Sequence, residues 1–218
     1  MTTHATSYLV DAIAHMPVGG RLILHDVSWE EYEQLLHELR DCPRRVSYFQ
    51  GRLEIMSPSL PHERPKDFLF RLVDALATEF DLTLETAGST TFKDKELEMG
   101  AEPDTCFYIE NAERIIGKEE IDLTTDPPPD VVVEIDIWSE SVGKMEFYAA
   151  IGVPEFWRYR KGRLYIYHRS DAGYVEAEAS RAFPLLTAEI LTRFLEQNKA
   201  DGQSATLRAF REWLRAAR

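Results

Sequence analysis

The strongest constraint on this fold lies in Asp130–Tyr159, DVVVEIDIWSESVGKMEFYAAIGVPEFWRY. The stretch predicts a buried strand over Asp130–Ile137, in which three valines run straight into Glu134 and Asp136. A polar break at Ser139-Glu140-Ser141 follows, then a helix carrying Lys144 and Tyr148. Gly152 and Pro154 close the segment before an aromatic strand, in which Glu155 leads into Phe156-Trp157-Arg158-Tyr159. Carboxylates at the end of an apolar strand, beside a lysine on the next helix, are costly to leave unpaired. The segment therefore reads as a site as well as a piece of core.

The rest of the chain limits what that site can be. A length of 218 residues suits one sizeable α/β domain or two small ones, and a charged fraction of 29% against 44% apolar is that of a water-soluble globule. A formal net charge of −13 argues against a general nucleic-acid coat, though not against an enzyme that meets phosphate through a metal ion and a few basic groups. No run has the length of a membrane span, and the N-terminus lacks a basic region followed by an apolar core. Cys42 and Cys106 stand far apart in no metal-like spacing, so a reduced cytoplasmic protein is expected.

Residues 1–27 show weak periodicity and read as an N-terminal extension. Ser28-Trp29-Glu30-Glu31 is a capping box for a helix to about Arg40, with Tyr32, Leu35, Leu36 and Leu39 on one face. Arg45–Met56 reads as a hairpin turning at Gln50-Gly51. A helix over about Pro61–Phe80 carries the stripe Phe68, Leu69, Leu72, Val73, Leu76 and Phe80. On it His62 projects near the stripe and Glu63 away from it. Strands are predicted near Leu82–Thr86, Thr90–Phe92, Pro103–Ile109, Arg163–His168 and Tyr174–Glu178. A helical turn is expected over Asn111–Ile116, and helices over Thr187–Glu196 and Ala205–Ala217, with Gly202-Gln-Ser204 as a linker. The architecture expected is a single domain over 1–218: a mixed central sheet flanked by helices, α/β (α+β) in class.

Two acidic clusters carry the chemistry. Glu102 and Asp104 point the same way if their segment is extended, as do Glu134 and Asp136. Two strands that bring Asp104 and Glu134 side by side create a repelling carboxylate pair, which a divalent cation relieves. Oxygen ligands without a cysteine pair favour magnesium or manganese over zinc. Lys144 is placed to orient an attacking water or to neutralise a developing phosphoryl charge.

Asp104 after a proline, then a downstream strand with Glu134, resembles the PD-(D/E)XK phosphodiesterases, except that the motif's final position, normally lysine, is Asp136. More specifically, GRLEIMSPSLPHERPK, EPDTCFYIEN and PPPDVVVEIDIWSESVGKMEFYAAIGVPEFWRY together resemble the Uma-two family of restriction-endonuclease-like proteins. The resemblance implies a restriction-endonuclease-like core over 28–195, a C-terminal helical tail over 196–218, and magnesium-dependent hydrolysis of DNA. It implies Asp104 and Glu134 as metal ligands, the backbone carbonyl of Ile135 as a third, and Lys144 as the lysine moved from strand to helix. His62 and Glu63 match the helical position that supplies a further polar group.

Each residue also has a plainer reading. Asp104 is then a turn cap, Lys144 a solvated partner of Glu140 at i, i+4, Tyr148 core, and His62 a satisfied histidine at a helix start. Phe156 and Trp157 read as sheet packing, and Arg208, Arg211, Arg215 and Arg218 as a solvated face. Two functions follow: a metal-dependent DNA endonuclease, working as a homodimer where both strands are cut, or an inactive nuclease fold serving as a binding or assembly module.

Overall fold

The dominant segment folds as strand, helix and strand, with the two strands parallel. The computed structural model describes residues 3–88, 90–137 and 143–217. The polar break at Ser139-Glu140-Ser141, the Glu140–Lys144 pairing and Arg218 lie outside those residues. In chain order the elements begin α1 (Thr3–Ala14), β1 (Arg21–Leu24), α2 (Trp29–Leu39), β2 (Arg45–Phe49), β3 (Arg52–Met56) and α3 (Leu60–Phe80). Next come β4 (Glu85–Thr86), β5 (Phe92–Asp94), β6 (Met99–Ala101), β7 (Thr105–Tyr108), α4 (Ala112–Ile115) and β8 (Val131–Asp136). The chain finishes with α5 (Lys144–Ala150), β9 (Glu155–Arg160), β10 (Arg163–Ser170), β11 (Gly173–Ala177), α6 (Ala188–Asp201) and α7 (Gln203–Ala217). No helix among the described residues is long and apolar enough to cross a membrane.

The chain divides into two compact units, one of Met1–Leu60 with Thr91–Glu102, the other of Pro61–Thr90 with Pro103–Arg218. The sequence leads to one mixed sheet; the chain builds two, and the first unit holds an antiparallel sheet of order β1-β3-β2-β6-β5. The stretch ahead of Ser28 supplies α1 and the edge strand β1. The capping box forms as read: the Glu31 amide donates to Ser28 Oγ at 3.2 Å, and the Ser28 amide to Glu31 Oε2 at 2.9 Å. Gln50 and Gly51 both take positive φ, +45° and +89°, which is what a two-residue turn matched to strand twist demands.

Strand β6 has no counterpart in the sequence reading, because the run from Lys93 to Gly100 is polar and ends in a glycine. Asp94 makes the hairpin instead, its carboxylate accepting from the amides of Glu96 and Leu97 at 2.9 and 3.0 Å. Gly100 is needed for its lack of a side chain: a Cβ there would sit 2.9 Å from Cζ of the buried Tyr32 ring. Gly100→Ala is accordingly expected to cost about 1–3 kcal/mol, read as a shift in the urea midpoint; an unchanged midpoint would show that Tyr32 moves aside freely.

The second unit is built on a six-stranded sheet of order β11-β10-β9-β8-β7-β4, antiparallel except for the β8–β9 pair. Alternation along β8 sends Val131, Val133 and Ile135 into a core with Phe68, Leu72 and Leu76 of α3, Phe194 of α6, and Phe210 and Leu214 of α7. Trp157 joins that core, its ring centroid 6.1 Å from Phe183, while Phe156 faces the other way, 6.0 Å from Tyr148 of α5. The expected linker Gly202-Gln-Ser204 is a tight corner between α6 and α7, with Gly202 at φ +80°.

Candidate active site

Both acidic clusters come from the middle of the second sheet. Because β8 alternates, Glu134 and Asp136 share the face opposite Val133 and Ile135, and both are buried. The antiparallel register pairs Thr105 with Val133. One step further, the Asp104 amide donates to the Val133 carbonyl at 3.2 Å, so Asp104 stands opposite Glu134. Pro103, with no amide to donate, ends the ladder there.

Asp104 Oδ2 accepts from the Ile135 amide at 2.7 Å and lies 3.1 Å from His62 Nε2. His62 sits in the first turn of α3, and its Nδ1 meets Glu63 Oε1 at 3.1 Å. Lys66, one turn on, holds the other oxygen of Glu63. Glu134 is gripped from α5: Lys144 Nζ lies 3.0 and 2.8 Å from its two oxygens, and the Tyr148 hydroxyl donates to Oε1 at 2.9 Å. Asp136 accepts from Arg158 Nε at 2.5 Å.

Electrostatics follow from burial and these partners. Burial pushes Glu134 above the usual carboxylate range; Lys144 opposes the rise, and the charges of Asp104 and Asp136 add to it. For Asp104, burial also disfavours the charge, but the hydrogen bond and charge of His62, with Lys144 and the Ile135 amide, hold its carboxyl low. Burial works against the Lys144 ammonium, and Glu134 and Asp104 more than reverse this, so the lysine stays protonated. His62 is likewise opposed by burial and raised to about 9 by Asp104 and Glu63 on its two nitrogens. Glu63, bonded to His62, falls to about 2 in spite of its burial, with Lys66 assisting. A lysine at the first position of a helix also meets the positive end of the backbone dipole, an unfavourable placement that Glu134 offsets.

The structure thus brings His62, Asp104, Glu134 and Lys144 into one connected set, with Glu63 behind His62. Ile135 takes part through its backbone amide while its side chain lies in the core. Asp136 is tied to Arg158, and Glu102, in the first unit, accepts from the Thr91 hydroxyl at 3.1 Å. Two contributors are unremarkable in the sequence. Tyr148 reads as core, yet at four residues past Lys144 it shares the lysine's helix face and reaches the same carboxylate. Arg158 is found only through the parallel register that sets it beside Glu134. The arginines of α7, Arg208, Arg211 and Arg215, are exposed.

The set offers two facing carboxylates, a protonated lysine and a protonated imidazole, all on oxygen or nitrogen. Among the described residues no three His, Cys, Asp or Glu side chains are grouped as a complete metal-binding cluster.

Comparison with known proteins gives a family and a fold. Residues 29–198 match the family Uma2, described as "Putative restriction endonuclease". Among solved structures, one of a "putative nuclease belonging to DUF820" from Anabaena variabilis superposes with a TM-score of 0.50. It is 16% identical, and the match covers 73% of this chain and 98% of that one, a likeness that concerns the fold alone. No curated protein matches the sequence.

Proposed function

We propose that this chain, which belongs to the Uma2 family, is a metal-dependent endonuclease that hydrolyses phosphodiester bonds in DNA at the centre formed by Asp104, Glu134 and Lys144. The observation that carries the reading is the placement of Asp104 opposite Glu134 on neighbouring strands, with a buried lysine reaching Glu134 from the crossover helix. The donor set fits a hard divalent cation. Carboxylate oxygens of Asp104 and Glu134, with the Ile135 carbonyl, would hold magnesium or manganese. Such ions keep several water and phosphate positions rather than filling an all-protein cage, which suits a centre with two facing carboxylates. When bound, the ion supplies an acidified water and positive charge near the scissile phosphate.

The chain's own groups divide the remaining work. Lys144, held on Glu134 by two hydrogen bonds, is placed to donate toward the phosphoryl oxygens as charge develops there. Tyr148 fixes the Glu134 carboxylate from the same helix face. His62 fixes Asp104 and is itself fixed by Glu63, so Asp104 as well as Glu134 is held in place by side chains. Asp136, where the related motif carries lysine, is neutralised by Arg158. Cutting both strands of a duplex asks for two such centres, which a homodimer of this chain supplies.

One observation favours a second reading, that of a nuclease fold kept as a binding module: both oxygens of Glu134 are already engaged by Lys144 and Tyr148. Calorimetric titration with magnesium or manganese separates the two. On the enzyme reading the wild type binds the ion, and Asp104→Ala and Glu134→Ala each abolish binding while remaining folded. Absence of binding at millimolar ion leaves the module.

A further inference from the structure

The site face of the second sheet continues beyond the carboxylates into a different pattern. Parallel pairing sets Arg158 beside Glu134 and Arg160 beside Asp136. Antiparallel pairing then sets Tyr165 beside Arg158, Arg163 beside Arg160, and Tyr167 beside Phe156. Residues paired across a sheet share a face, so one row reads Glu134, Arg158, Tyr165 and the next Asp136, Arg160, Arg163. Along β10 the planar groups form a ladder: the Arg163 guanidinium lies 5.0 Å from the Tyr165 centroid, and the Tyr165 and Tyr167 rings stack at 6.5 Å and 25°. Arg163 and the turn residue Lys161 are exposed, and Arg158, Arg160, Tyr165 and Tyr167 are half-buried. Burial raises the Tyr167 phenol and Glu176 adds to the rise, while Arg158 and Arg160 oppose it.

We propose that this face is a docking surface for single-stranded DNA, with bases stacked on Tyr165 and Tyr167 and phosphates against Arg160 and Arg163. Charge complementarity supports the choice of a polyanion: on a chain of net charge −13, Arg160, Arg163 and Lys161 gather at this corner of the sheet. The rings decide between unpaired and paired strands. A duplex keeps its bases stacked inside and offers only phosphate, whereas an unpaired strand offers π-faces that planar side chains bind without regard to sequence. The choice of DNA over RNA rests on the function proposed above; the surface itself does not. An unpaired strand entering along the rows ends at the carboxylates, and a single centre suffices to cut it.

The test is fluorescence anisotropy of the full chain, in EDTA to suppress hydrolysis, with a labelled thymidine oligonucleotide, its duplex with the complement, and the matching RNA. Single-stranded DNA is expected to bind most tightly of the three. Tyr165→Ala is expected to weaken it about ten- to a hundredfold, with Tyr165→Phe close to wild type, as stacking requires. Arg163→Ala, at an exposed position, should flatten the slope of log K against log salt by about 0.7, the value for one phosphate on a single strand. Equal or tighter binding of duplex or RNA overturns the assignment, as does affinity that Tyr165→Ala leaves unchanged. Metal-dependent cleavage of duplex without single-strand binding sinks this inference and spares the function proposed above; single-strand binding without cleavage in any metal does the reverse.

Discussion

Lys144→Met is expected to lower the stability of the protein by about 3–5 kcal/mol, the cost of leaving one member of a buried ion pair without its partner. The Lys144 and Glu134 side chains are 11% and 2% exposed, so water cannot take over the lysine's role. Methionine conserves the length and volume of the aliphatic stem, which isolates the missing charge from a packing defect. Typical domain stabilities of about 5–15 kcal/mol leave the variant folded with a reduced margin. DNA hydrolysis should fall about a hundredfold or more, the usual effect of removing one preorganised donor to developing charge. Adding Glu134→Gln should restore at least half of the lost stability, because the orphaned carboxylate is gone, but none of the hydrolysis. Urea unfolding and plasmid nicking read the two effects separately. An unchanged unfolding midpoint for Lys144→Met would show that the pair adds nothing, and a variant that nicks at the wild-type rate would remove Lys144 from the mechanism.

Asp104→Asn should separate catalysis from folding in the opposite sense. The asparagine carbonyl can still accept from the Ile135 amide and from His62 Nε2, and Glu63 stays on the other imidazole nitrogen, so the strand end stays tied and the stability change should remain within about 2 kcal/mol. The second carboxylate of the centre is lost, however. A metal ion contributes several kcal/mol to the transition state, and each 1.36 kcal/mol is about tenfold in rate, so nicking at saturating manganese should drop about a thousandfold. Rates within tenfold of the wild type would place the ion elsewhere. Together with Lys144→Met, the variant tells a positioning network from a structural one: a network that exists only to hold the fold would show large stability losses in both and a coherent change in activity in neither.

Much of this arrangement is legible in local pattern. The capping box at Ser28, the stripe of α3, the Gln50-Gly51 turn and the apolar run of β8 each follow from the period and chemistry of a few neighbouring residues. Alternation alone places Glu134 and Asp136 on one face of β8, and four-residue spacing places Lys144 and Tyr148 on one face of α5. The anomaly that marks the site is equally local, since carboxylates inside a valine strand and a lysine at a helix start are unfavourable choices unless they meet.

What they meet is a matter of register, and register is set between strands far apart in sequence. Only the antiparallel β7–β8 pairing puts Asp104 across from Glu134, and only the parallel β8–β9 pairing puts Arg158 beside it, so that Asp136 acquires a cation on the neighbouring strand. The sharing of His62 between Asp104 and Glu63 depends on where the start of α3 lies against the start of β7. The second sheet escaped the sequence reading for the same reason: β6 is too short and polar to announce itself and exists because β2 and β5 offer it hydrogen bonds on both sides. Amino-acid order thus determined which groups are held on which face of each element. Tertiary structure decided which faces oppose one another, because the partners of a strand are chosen by the free energy of the whole sheet and its core rather than by its own residues.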